Sequence, residues 1–153
     1  MSIAASATRF DTISDYLSWD HDRLDALLGS ARNWVEEGNW VQVWRVYAEF
    51  ERGLNRHIRL EEEVLFPVFE ERTGNTGPTT VMREEHKRIH GVLAVLRAAA
   101  DRADAAGFRS GVAALDAVLP AHNEKEEQVL YPTADRVLLD RERAALAARL
   151  QAV

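Results

Sequence analysis

The chain has 153 residues, 46% of them hydrophobic, with no cysteine and a net charge of −6. That length fits one domain, 1–153, with a real core, and the acidic balance argues against nucleic acid or an anionic membrane as the main partner. Without cysteine, disulfides, thiolate catalysis and cysteine-based zinc or iron–sulfur sites are excluded.

Met1 to Arg9 lacks a basic start followed by an apolar stretch, so no signal peptide is expected. No apolar run approaches the roughly 20 residues that span a bilayer. A soluble, cytoplasmic protein is expected.

A first helix is expected from about Asp11 to Glu37, with Ile13, Leu17, Leu24, Leu28 and Val35 near helical spacing and Gly38 as its stop. Asn39 can cap a second helix, Trp40 to Arg72, whose apolar stripe includes Val43, Phe50, Leu54, Ile58 and Leu65. The turn-rich Thr73-Gly-Asn-Thr-Gly-Pro78 ends it. A third helix runs from about Thr79 to Ala106 and stops at Gly107. A fourth starts near Ser110 and reaches Tyr131, with Pro120 kinking it just before His122. Asp140 can cap a short last helix, Arg141 to Gln151. Long helices with short loops imply an all-α, antiparallel up-down-up-down four-helix bundle with a short extra C-terminal helix. The four tryptophans, Trp19, Trp34, Trp40 and Trp44, are expected in the core or at its rim.

Two of these helices carry one motif. His57-Ile-Arg-Leu-Glu-Glu-Glu-Val-Leu-Phe-Pro67 and His122-Asn-Glu-Lys-Glu-Glu-Gln-Val-Leu-Tyr-Pro132 both read H-x-x-x-E-E-x-V-L-aromatic-P, 65 residues apart. The same offset carries His21 onto His86. Counting from each loop, all five histidines, Glu61 and Glu126 fall at one height of the bundle, roughly 25 Å from one end at ~1.5 Å per residue. His57 with Glu61, His122 with Glu126, and His86 with His90 are i,i+4 pairs that share a helix face. Burying carboxylates among imidazoles without a cation is unfavourable. Imidazole with carboxylate suits iron, manganese or zinc. Seven ligands are too many for one tetrahedral zinc and fit two metals sharing carboxylate bridges. Glu63, and mostly Glu62 and Glu127, are expected to face solvent, and Pro67 and Pro132 to kink or end their helices past the site.

The pattern H…H-x-x-x-E…H-x-x-x-H…H-x-x-x-E over residues 21 to 126 resembles the hemerythrin-like family, in its bacterial single-domain HHE form. The resemblance implies a non-haem centre of two Fe ions with an oxo or hydroxo bridge. One iron would take His86, His90 and His122. The other would take His21 and His57 and keep an open position. Glu61 and Glu126 would bridge. The implied small ligands are O₂, NO or H₂O₂, with no nucleic-acid or membrane partner and an unassigned electron donor. The oxygen-carrying members of the family have an aspartate five residues after the last histidine, where this chain has Glu126 at four. Asp25 holds, in the first helix, the place of His90 in the third. There it is a second-shell partner, an extra ligand, a proton donor to peroxide and so a catalytic residue, or a solvent-facing side chain.

These features support a protein that binds or senses O₂ or NO. The alternatives are a peroxide-consuming catalase- or peroxidase-like enzyme and iron storage or donation. A structural zinc bundle fits least.

Overall fold

The computed structural model describes residues 10–152; the expectation for Met1–Arg9 lies outside them. The described residues form helices and turns, without a strand. Helix α1 spans Ile13–Glu36. The Thr12 hydroxyl accepts the Asp15 N–H at 3.0 Å, and the Asp135 carboxylate accepts the N–H groups of Ile13 and Ser14 at 2.9 and 3.0 Å. These are donors that a helix start otherwise leaves without partners. The chain reverses at Gly38, whose φ of 71° is the left-handed conformation that glycine adopts without strain. Asn39 then caps α2, Trp40–Leu60, by accepting the Gln42 N–H.

Beyond Leu60 the helix widens into a π-helical turn, Glu61–Leu65, where the Phe66 N–H reaches back five residues to the Glu61 carbonyl. Pro67 follows in the first turn of α3, Phe66–Thr73. The second copy of the motif behaves the same way. Helix α6, Leu119–Lys125, opens into a π turn at Glu126–Leu130, and α7, Tyr131–Val137, carries Pro132 in its first turn. A proline lacks an N–H and its ring collides with the carbonyl four residues back, so local widening relieves both problems. The helix is therefore remodelled at the glutamate of each motif, Glu61 and Glu126, rather than one or two turns past it. Helices α4, Gly77–Asp101, α5, Ala105–Asp116, and α8, Asp140–Ala152, complete the set.

Several boundaries differ from expectation, among them the start of the fourth helical segment at Ala105 rather than Ser110 and its end at Val137 rather than Tyr131. Helix α4 ends at Asp101, because Ala103 turns left-handed (φ 53°) and Asp104 caps α5 by accepting the Gly107 N–H at 2.9 Å. Gly107 thus belongs to the first turn of α5 instead of stopping α4. The expected fourth helix also breaks at Ala117–Val118, immediately before Leu119-Pro120. Of the tryptophans, Trp19 and Trp44 are exposed and Trp34 and Trp40 half-buried, so they form the rim. No helix among the described residues is long and apolar enough to cross a membrane.

The core consists of two apolar clusters. One holds Leu24, Leu28, Phe50, Leu54, Leu93, Leu96, Phe108 and Leu115. The other holds Ile13, Leu17, Leu65, Phe66, Met82, Leu130 and Tyr131, with Leu146 and Leu150 of α8 packed into it. Burial of each large side chain contributes roughly 1.5–3 kcal/mol. That sum is what can offset the desolvation of the polar layer lying between the clusters. Helix α1 passes from Leu17 in one cluster, through His21, to Leu24 in the other; α4 goes from Met82 through His86 to Leu93. The α2–α3 and α6–α7 segments cross in the other order.

Candidate metal centre

His21, His57, His86, His122, Glu61 and Glu126 are each at most 3% exposed. Their donor atoms form two groups of four: His21, His57, Glu61 and Glu126 in one, and Glu61, His86, His122 and Glu126 in the other. Within each group the atoms lie within 4.8 Å of one another. Both glutamates belong to both groups, with one oxygen turned to each. Glu61 Oε2 lies 3.3 Å from His57 Nε2, and Glu61 Oε1 lies 3.1 Å from His86 Nε2. Glu126 Oε1 lies 3.1 Å from His21 Nε2, and Glu126 Oε2 lies 3.2 Å from His122 Nε2.

Each of the four buried imidazoles is held from behind by a carboxylate on Nδ1. His21 is paired with Glu127 at 2.5 Å, His57 with Asp20 at 2.9 Å, His86 with Glu62 at 2.7 Å and His122 with Glu85 at 2.9 Å. An ionised carboxylate only accepts, so Nδ1 carries a proton, and a ring that gives up its second proton to a metal offers the Nε2 lone pair. This is the usual way a protein orients a metal-binding histidine. The pairs obey the internal repeat: Asp20 and Glu85, like Glu62 and Glu127, are 65 residues apart. Glu62 and Glu127 therefore differ from the expected solvated glutamates, since each has one end in solvent and the other on a buried ring.

His90 departs from the expected ligand set. It is exposed and outside both groups. The buried face of α4 advances through Met82, His86, Ile89, Leu93 and Leu96, alternating steps of four and three. His90 falls one position past that stripe. Asp25 in α1 falls one position past the matching stripe of Leu17, His21, Leu24, Leu28 and Ala31. Asp25 is an exposed residue at a cavity of about 280 Å³ that it shares with His21, Asp22, Asp116, Glu124 and Glu127. Partial burial raises its carboxyl above the ordinary range; Asp22, Glu127 and Asp116 add to this and His21 opposes it. His90→Ala is accordingly expected to leave metal content and melting temperature unchanged, whereas His57→Ala lowers both, because a bound ligand stabilises the folded chain. Metal analysis and thermal melts of the two variants check this.

One buried group at the site has no assigned role in the sequence reading. The Tyr131 hydroxyl donates to Glu61 Oε2 at 2.5 Å and stands 3.0 Å from Glu126 Oε1, 3.2 Å from His57 Nε2 and 3.3 Å from His21 Nε2. Its repeat partner is Phe66, whose ring stacks on His86 at 5.8 Å.

Burial alone pulls the His57 imidazole down, but Glu61 and Asp20 outweigh it and hold it up at about 10. Burial likewise opposes, and Glu126, Glu61 and Glu85 overcome, at His122, which is held up at about 9. Glu61 lies well below the usual carboxylate range despite burial, because His57 and His86 surround it.

The chain matches the family model of the hemerythrin HHE cation-binding domain over residues 12–134. It belongs to the hemerythrin family. No curated protein and no solved structure matches it at a significant level.

The residues fit the cation that a hemerythrin domain implies. Glu61 Oε1, His86 Nε2 and Glu126 Oε2 are buried without a hydrogen-bond partner. The 3.1 Å approach of His86 Nε2 to Glu61 Oε1 lacks hydrogen-bond alignment. Buried polar atoms without partners are rare in native proteins because they forfeit solvation for nothing. Three such atoms in one four-residue group match a position for a positive ion. Neutral imidazole and carboxylate oxygen are the donor types that iron takes.

Proposed function

We propose that this hemerythrin-family chain is a cytoplasmic, non-haem di-iron protein that binds O₂ or NO for sensing, transport or stress response. The proposed fold is the antiparallel up-down-up-down bundle; the alternating order in which successive helices cross the two apolar clusters supports it. His21 and His57 would hold one metal and His86 and His122 the other, with Glu61 and Glu126 offering an oxygen to each. The observation that carries the reading is the sharing of both glutamates between two groups of buried donors. A single-metal site has no need to divide two carboxylates between two histidine pairs.

Two irons held by these residues would supply two one-electron steps to a diatomic ligand. The chain supplies the rest. The Nδ1 carboxylates fix ring orientation and raise imidazole basicity. The apolar clusters above and below keep bulk water out, which strengthens every interaction inside the layer.

The test is reconstitution with iron(II) under argon, metal analysis, and then separate exposure to O₂, NO and H₂O₂ while the spectrum is followed. Two irons per chain and a spectral change that reverses on removal of O₂ are expected. A single zinc per chain after aerobic purification, with no iron uptake, would overturn the reading. The cavity beside Asp25 favours a second reading, peroxide consumption, because a carboxyl there can hold a proton near His21. Fast turnover of H₂O₂ that slows in Asp25→Ala, with iron retained, would select it.

A further inference from the structure

The two metal positions are alike in ligands but not in what closes them. Every group at one position has its counterpart 65 residues away: His21 and His86, His57 and His122, Glu61 and Glu126, together with their Nδ1 carboxylates. The aromatic residue that ends each motif breaks the symmetry, being Phe66 in one copy and Tyr131 in the other.

Tyr131 Oη stands 2.5, 3.0, 3.2 and 3.3 Å from the four donor atoms of the His21–His57 group. In an octahedral site with bonds of about 2.1 Å, neighbouring donors are about 3 Å apart. The hydroxyl oxygen therefore has the spacing of a fifth donor to the same centre. The donors on its side are also those that have a hydrogen-bond partner. The three site atoms that are buried without one, Glu61 Oε1, His86 Nε2 and Glu126 Oε2, lie on the Phe66 side.

We infer that Tyr131 coordinates the His21–His57 metal through Oη, and that the Phe66 side leaves the His86–His122 metal as the one that takes the external ligand. This deepens the di-iron reading and rests on it. It also reverses the expectation that the His21–His57 metal is the open one. Coordination replaces the Oη–H bond with an oxygen–metal bond. The proton leaves to solvent and no electron moves. The π turn is what makes the contact available, since it brings the residue five after the bridging glutamate onto the inner face.

The experiment is resonance Raman and visible absorption of the iron-loaded, oxidised full chain, with azide as the external-ligand probe. Wild type is expected to hold two irons and show tyrosinate ring modes with their charge-transfer band. Tyr131→Phe is expected to keep iron and lose both signals. Phe66→Tyr is expected to add a second tyrosinate signal and abolish azide binding. Two irons in wild type without tyrosinate modes, or modes that survive in Tyr131→Phe, would overturn Tyr131 as a ligand. Azide binding unchanged in Phe66→Tyr would overturn the placement of the open position. A wild-type chain that takes up no iron removes the di-iron reading along with this one, so the two failures are distinguishable.

Discussion

Glu61→Gln is expected to lower iron content from two per chain to fewer than one, while Glu62→Gln retains both irons under saturating metal. The two residues are adjacent and chemically identical, and geometry alone separates them. Glu61 is fully buried, with Oε2 toward His57 and Oε1 toward His86, so one substitution damages both positions. The amide keeps the shape and one acceptor oxygen but removes the negative charge and one acceptor. Glu62 instead accepts from His86 Nδ1 and has its other end in solvent. Losing such a supporting partner typically weakens metal affinity by 10–100-fold without removing the site. Glutamine is the right replacement because alanine would also open a cavity and remove the acceptor to which the buried Tyr131 hydroxyl donates, which would confuse unfolding with metal loss. Circular dichroism of metal-free Glu61→Gln is expected to show a folded helical protein. Two irons per chain in the purified, folded variant would remove Glu61 from both metals.

The helices and most of the polar layer were legible because both follow the 3.6-residue period. A stripe advancing in alternating steps of four and three reads correctly from Leu17 through His21, Leu24 and Leu28 to Ala31. His90 lies outside the donor groups because i,i+4 spacing puts two residues on one face only in general, and the buried face here is narrow. His86 lies on it and His90 lies past its edge. Asp25, which holds the place of His90 in α1, likewise lies on the exposed side of its stripe. Tyr131 was hidden for the opposite reason. In an ideal helix a residue five positions on is roughly 140° around the axis, away from Glu126. The π turn at Glu126–Leu130 cancels that rotation, and its signal in the sequence was the proline that follows the aromatic in both motifs. The Nδ1 carboxylates had a signal too. An acidic residue precedes both His21 and His86, and the repeat carries Asp20 onto Glu85 as it carries the histidines.

Metal uptake near neutral pH is expected to expel at least two protons per chain, and metal-free protein is expected to lose stability as pH rises through 9 to 10. Without a cation, His57 and His122 are held up at about 10 and about 9 by the carboxylates around them. An unfolded histidine titrates near ~6.5. Between that value and the folded ones, the native chain binds more protons than the unfolded chain, so raising pH destabilises it. The contribution is fully present below about 6.5 and disappears first at His122 and then at His57. Glu61 has the opposite sign. Its folded value is depressed, so its contribution is present above the ordinary carboxylate range and lost as pH falls. Protons on the two imidazoles thus balance Glu61 in the metal-free layer, and metal ions displace them on binding. The iron-loaded chain should have an alkaline melting profile that stays flat, and should release iron as acid returns protons to His57 and His122. Calorimetry in two buffers of different ionisation enthalpy counts the released protons, and melts of both forms from pH 6 to 10 give the profiles. A metal-free melting temperature that holds or rises toward pH 10 would show that the imidazoles are already neutral. Glu61 would then owe its depressed value to something other than a protonated His57.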